Sequence, residues 1–90
     1  MLRIIPSNRF KRDLKILSKR GLDLDLLEAA VDKLAHLQPL EPRYRDHSLT
    51  GNYSGFRECH ILPDWILIYR IDQDALYLFL SRTGSHSDLF

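Results

Sequence analysis

The stretch Gly55–Leu80, GFRECHILPDWILIYRIDQDALYLFL, decides the fold. Its centre, Trp65–Ile71, is nearly all apolar, as expected of a central strand covered on both faces. Pro63-Asp64 makes a turn before it, and Asp72-Gln73-Asp74 makes a hairpin turn after it. Gly55–Ile61 and Ala75–Leu80 are therefore read as its flanking strands.

Working outward, Leu2–Pro6 is short, apolar and closed by Pro6, and reads as a further strand. Ser7 or Asn8 then caps a helix whose apolar stripe is Phe10, Leu14 and Leu17. Gly21, after Lys19-Arg20, supplies the stop. Asp23 or Asp25 caps a second helix with Leu27, Ala30, Val31, Leu34 and Leu37 on one face, and Pro39 and Pro42 end it. Glu41–Ser54 is a polar loop. The order β-α-α-β-β-β implies an α+β layer: one antiparallel-rich sheet with a helical hairpin on one face. The other face stays partly open, which is where a site or partner belongs.

Ninety residues make one domain, 1–90. A single cysteine, Cys59, forms no internal disulfide and suits a reducing cytoplasm. MLRIIPSNRFKRD lacks the apolar core of a signal peptide, and no run approaches the ~20 apolar residues of a membrane span. The net charge of +1 conceals an asymmetry. Arg3, Arg9, Lys11, Arg12, Lys15, Lys19 and Arg20 face one acid, Asp13, whereas Leu22–Leu40 carries Asp23, Asp25, Glu28 and Asp32 against Lys33. One face is then strongly positive, which suits a polyanion such as RNA; ordinary solvated helix faces are the alternative.

His60, Asp64, Trp65, Arg82, His86 and Phe90 crowd into the last third of the chain, with Arg82 and His86 expected beyond the last strand. Cleaving RNA without a metal needs a base for the 2′-hydroxyl proton, an acid for the 5′ leaving oxygen and a cation for the phosphoryl oxygens. Histidine suits both proton roles and arginine the third, while an aromatic ring holds a base by stacking. Each residue also has a plainer reading: His86 as an exposed tail residue, His60 as a half-buried strand residue, Asp64 as turn chemistry, Trp65 as core. His47 lies in the polar loop, and His36 suits a helix C-terminus. The histidine spacings match no compact ligand motif, so no metal is expected. Cys59 and His60 are adjacent on a strand and point to opposite faces, which disfavours a Cys–His pair.

The segment DHSLTGNYSGFRECHILPDWILIYRI, followed by LSRTGSHSDLF, resembles the YafQ-type branch of the RelE/ParE toxin superfamily. The elements that carry it are D-H-x-L, G-x-R-x-x-H, P-D-W-I-L-I-Y, R-T-G-S-H and Phe90. The resemblance implies a compact RelE-like βααβββ fold and a bacterial type II toxin that cuts mRNA in the ribosomal A site. It implies an acid–base set of His47, His60, Asp64 and His86, with His86 as general acid. Arg82 would bind phosphate, and Trp65 and Phe90 would bind or support substrate. The basic first helix, through Arg9, Lys11, Arg12, Lys15, Lys19 and Arg20, would dock on ribosomal RNA. Its partners would be a DinJ/RelB-like antitoxin, the 70S ribosome and mRNA, with operator DNA reached only through the antitoxin. No cofactor and no membrane association are implied. A ParE-like gyrase inhibitor, or an inactive relative that only binds antitoxin, is the alternative.

Overall fold

The computed structural model describes residues 1–90. The elements are β1 (Arg3–Pro6), α1 (Asn8–Lys19), α2 (Leu24–Ala35), β2 (His47–Ser48), β3 (Arg57–Leu62), β4 (Trp65–Asp72), β5 (Tyr77–Gly84) and α3 (His86–Leu89). Single 3₁₀ turns fill Pro42–Tyr44 and Gly51–Tyr53. The sheet order is β1-β5-β4-β3-β2, with β1 parallel to β5 and every other pair antiparallel. No helix is long and apolar enough to cross a membrane.

Local chemistry places the helix ends. Ser7 caps α1 by accepting from the Phe10 amide at 3.0 Å, and Asp23 caps α2 by accepting from the Asp25 amide at 3.0 Å. Both helices close with the same paired bonds: Leu22 N–H to Leu17 O and Gly21 N–H to Ser18 O, then Gln38 N–H to Lys33 O and Leu37 N–H to Leu34 O. This closure requires a left-handed residue. Gly21 adopts φ 79° freely; at the second site Leu37 adopts φ 56°. Leu37 is therefore outside α2 and exposed, and Ala35 takes the core position expected of it.

The main core lies between the helical hairpin and one sheet face. Phe10, Leu17, Leu27, Ala30, Leu34 and Ala35 pack on Cys59, Ile61, Trp65, Leu67, Tyr69, Leu78 and Leu80. A fully buried Leu contributes about 1.5–3 kcal/mol, so this layer dominates stability. On the opposite face, Ile66 and Ile68 are covered by Leu89, with Leu49, Tyr53 and Phe56 around them.

The last strand differs most from expectation. It begins at Tyr77 because Asp72 holds the turn open, its carboxylate accepting from the Asp74 and Ala75 amides at 3.0 and 2.9 Å. It runs on to Gly84, so Arg82 lies within the strand rather than beyond it. A register shift between Ile68 and Tyr69 marks a bulge: Tyr69 pairs with Leu80 but Ile68 pairs with Arg82. The bulge moves Arg82 off the helix-facing side taken by Leu78 and Leu80 and onto the open face. The polar loop contains the two-residue β2, and the segment after β5 is the short helix α3.

Candidate active site

Register lays out the open face as rows, because paired residues on neighbouring strands share a face. One row is His47–Glu58–Ile68–Arg82, and the next is His60–Ile66–Gly84. Gly84 leads into α3, which folds back over Ile66 and Ile68 and delivers His86.

Glu58 is the centre of the site. Its side chain is 5% exposed and meets three imidazoles: His47 Nε2 at 3.4 Å, His60 Nε2 at 3.6 Å and His86 Nε2 at 3.5 Å. His47 Nδ1 donates to the Arg45 carbonyl at 2.7 Å and His60 Nδ1 to the Pro63 carbonyl at 3.2 Å. A carbonyl only accepts, so each Nδ1 carries hydrogen and each neutral ring offers Nε2 to the site. Any imidazole that gains a proton does so against the Glu58 carboxylate.

Each histidine has its own brace. Asp46 fixes the loop before His47, accepting from the Tyr69 hydroxyl and from Arg57 at 3.2 and 3.4 Å. Burial, then the Asp46 bond, push the Tyr69 phenol well above its ordinary range, so it remains a donor. α3 starts with a capping box: Ser85 Oγ accepts from the Asp88 amide at 3.1 Å, and Asp88 accepts from the Ser85 amide at 2.9 Å. Arg20, the C-cap residue of α1, grips the same carboxylate at 2.7 and 3.0 Å, and this bond holds Asp88 well below the usual carboxylate range. Phe90 stacks on His86 with centroids 5.9 Å apart and meets Tyr53 edge-on at 5.5 Å.

Arg82 is anchored from behind. Asp13, 8% exposed, accepts from Arg82 Nε at 2.8 Å and Nη2 at 3.1 Å, which raises the guanidinium above its already high ordinary value. The same carboxylate accepts from the Thr83 amide at 3.1 Å. β1 has ended by this point, so Asp13 stands where the next strand carbonyl would be. Nη1 of Arg82 has no protein partner.

The structure brings His47, His60, His86, Arg82 and Phe90 to one face, and it does not bring Asp64 or Trp65 into the cluster. Trp65 is 2% exposed in the helix-side core, its indole donating to Thr83 Oγ1 at 2.9 Å, and presents no ring to a substrate. Asp64 lies at the end of the sheet beside Arg20, Trp65 and Ser85, and the carbonyl of Pro63 takes the His60 bond instead. His36 bonds Asp32 O on α2, away from the site. Cys59 is fully buried on the helix side, and burial pushes its thiol up to about 12, which removes it as a nucleophile. On α1, Arg9, Lys11, Arg12, Lys15 and Lys19 are exposed and unpaired, whereas Arg20, which caps its C-terminus, is committed to Asp88.

Sequence reasoning missed Glu58 and Asp13. Each carried a signal: Glu58 is two residues from His60 on one strand, hence on the same face, and Asp13 completes i, i+3, i+7 with Phe10 and Leu17. One carboxylate oxygen and two imidazole nitrogens from Glu58, His60 and His86 lie within 4.8 Å of one another. This donor set fits a divalent transition ion, although the sequence spacings gave no hint of it.

Residues 2–90 match the family model described as the bacterial toxin of a type II toxin–antitoxin system, YafQ. The chain is 40% identical over 85 residues to the mRNA interferase toxin YafQ of Escherichia coli K12, covering 93% of this chain and 90% of that protein. A metal-bound toxin from Helicobacter pylori superposes with a TM-score of 0.94 at 53% identity, over 100% of both chains. The E. coli DinJ–YafQ complex aligns with a TM-score of 0.90 at 36% identity, over 100% of this chain and 99% of its counterpart.

Proposed function

The chain belongs to the YafQ family of bacterial type II toxins, and from that premise we propose that it is an endoribonuclease that cuts mRNA in the ribosomal A site and so stops translation. The observation that carries this reading is the buried Glu58 carboxylate ringed by three imidazoles at 3.4–3.6 Å, in one row with Arg82. The 2′-hydroxyl attacks phosphorus, the 2′-oxygen–phosphorus bond forms and the bond to the 5′-oxygen breaks, leaving a cyclic phosphate. His60 takes the 2′ proton, with the Glu58 carboxylate beside it stabilising the imidazolium, and His86 gives a proton to the departing 5′-oxygen. His47, paired with Glu58 across the strands, supports positive charge in the cluster. Arg82 turns its free Nη1 to the phosphoryl oxygens while Asp13 holds the other edge of the guanidinium. Phe90, stacked on His86, holds a base. Asp64, which lies outside the cluster, is given no part in the proton transfers.

These groups balance the reaction without a cofactor. A metal ion held by Glu58, His60 and His86 would supply Lewis acidity, but it would also occupy lone pairs that otherwise move protons. The exposed basic face of α1 suits ribosomal RNA. A DinJ-like antitoxin is the expected partner; it would block access to the ribosome and carry any operator-DNA contact. A ribosomal target places the protein in the bacterial cytoplasm.

Primer extension on a defined mRNA, with and without translating ribosomes, tests the reading. In-frame cuts that need ribosomes and are absent with His86→Ala are expected. No cuts by the wild-type protein on translating ribosomes would overturn it.

A further inference from the structure

We propose that the open face carries a second RNA subsite, centred on Arg70, that binds the phosphate of the nucleotide next to the one being cut. This rests on the ribonuclease reading above.

Of the arginines near the site, Arg82 is neutralised by Asp13, Arg20 by Asp88 and Arg57 by Asp46, while Arg45, beside His60, is unpaired and has no side-chain bond to hold it. Arg70 is different. It is exposed, on the open face, and in no ion pair; its one side-chain bond is from Nη2 to the Tyr77 hydroxyl at 3.1 Å. Its guanidinium also lies over the Phe56 ring, 5.9 Å from the centroid. A ring beneath and a hydroxyl at one edge hold the charge in place without cancelling it. A phosphate site needs such a group, since an arginine already aimed loses less freedom on binding.

Its position relative to the catalytic cluster supports the assignment. Arg70 follows Ile68 by two residues on β4, so it is one row, about 7 Å, from the Glu58–Ile68–Arg82 row. That distance is on the order of one extended nucleotide step. The ground between is aromatic and continuous. His86 stacks on Phe90, Phe90 meets Tyr53 at 5.5 Å, Tyr53 meets Phe56 at 6.1 Å, and Phe56 meets Phe79 at 6.3 Å. Phe79 pairs with Arg70 across β4 and β5. Rings with a cation at the far end form the surface that single-stranded RNA uses, stacking bases and tracking phosphates. The subsite would fix the direction of the strand across the site, because the path from the histidines has its cation at the Arg70 end.

The test compares wild type, Arg70→Gln and Arg70→Lys. Binding of a 2′-O-methylated single-stranded RNA of about eight nucleotides, which cannot be cut, is followed by anisotropy across a salt series. In parallel, cleavage on translating ribosomes is mapped by primer extension. Arg70→Gln should weaken RNA binding about tenfold and lower the salt slope by about 0.7, the loss of one phosphate contact to a single strand. Arg70→Lys should retain most of the slope, and all three proteins should melt alike, since Arg70 is on the surface. Wild-type cleavage with unchanged Kd and salt slope in Arg70→Gln would overturn the subsite while leaving the ribonuclease reading intact. Reduced antitoxin affinity with unchanged RNA binding would also overturn it, making Arg70 a partner contact. No wild-type cleavage on ribosomes would remove both proposals together.

Discussion

Arg82 and Glu58 occupy one row of the sheet, on either side of Ile68, and are held by opposite means. Arg82 is clamped by the two short bonds, 2.8 and 3.1 Å, that it donates to a carboxylate, which also fixes the strand behind it. Glu58 makes no comparably short bond and faces its three imidazoles at 3.4–3.6 Å. The half of the site that carries the cation is therefore built into the fold, whereas the half proposed to move protons is loosely apposed. A group that only stabilises charge benefits from rigidity, because preorganised charge avoids reorganisation during the reaction. Groups that exchange protons need room to close on the substrate, and contacts of this kind tighten when it arrives.

The largest expected effect tests the rigid half. Asp13→Ala leaves the buried Thr83 amide without its acceptor and the half-buried Arg82 guanidinium without its counterion, so urea denaturation should show a loss of about 3 kcal/mol, with cleavage lost as well. A stable Asp13→Ala protein would mean that the clamp does not hold the fold. Next comes the loose half. Glu58→Gln keeps the shape and removes the charge; single-turnover cleavage should fall about 100-fold or more while the urea midpoint stays the same or rises. If stability fell with activity, Glu58 would be structural and the contrast between the halves would fail.

Gly84→Ala probes the joint between them. A Cβ there would lie 3.0 Å from Asp88 Oδ2, so the Asp88 side chain in the first turn of α3 must give by a few tenths of an ångström, and φ 155° strains any L side chain, at a cost of about 1–3 kcal/mol. Crosspeaks of the His86 and Phe90 rings in NMR spectra should move while those of His47 stay. The smallest effect is a matter of pH. Asp88 is held below its ordinary value of 3.8, so its contribution to stability is present above that value and is lost as pH falls through the depressed folded value. Acid titration should release α3 before the sheet unfolds, and Arg20→Gln should shift that release to higher pH.

The parts legible in the sequence were those set by local rules. The apolar run Trp65–Tyr69 announced a central strand, Ser7 and Gly21 marked the ends of α1, and the histidines were recognisable as a set. What escaped depended on partners far along the chain. Asp13 and Arg82 are 69 residues apart, and nothing near either names the other. Trp65 sits in a strand buried on both faces, where alternation does not say which face a residue takes. Arg82 has the same parity as Leu78 and Leu80, and only the bulge separates it from them. Leu37 fits the stripe of α2, but the helix ends at Ala35, two residues too early to use it.

The parallel pairing of β1 with β5 has a consequence for the birth of the molecule. The register Arg3–Tyr77 to Pro6–Leu80 joins the start of the chain to its last strand, and the Ser7 hydroxyl completes the join at Ser81 O. During synthesis the first strand has no edge to lie against until the last one has emerged, and such distant pairings form slowly. His86 and Phe90 are made later still. A nascent chain therefore lacks a finished sheet until β5 has been made, and the strand end at Gly84 that leads into α3 comes with it.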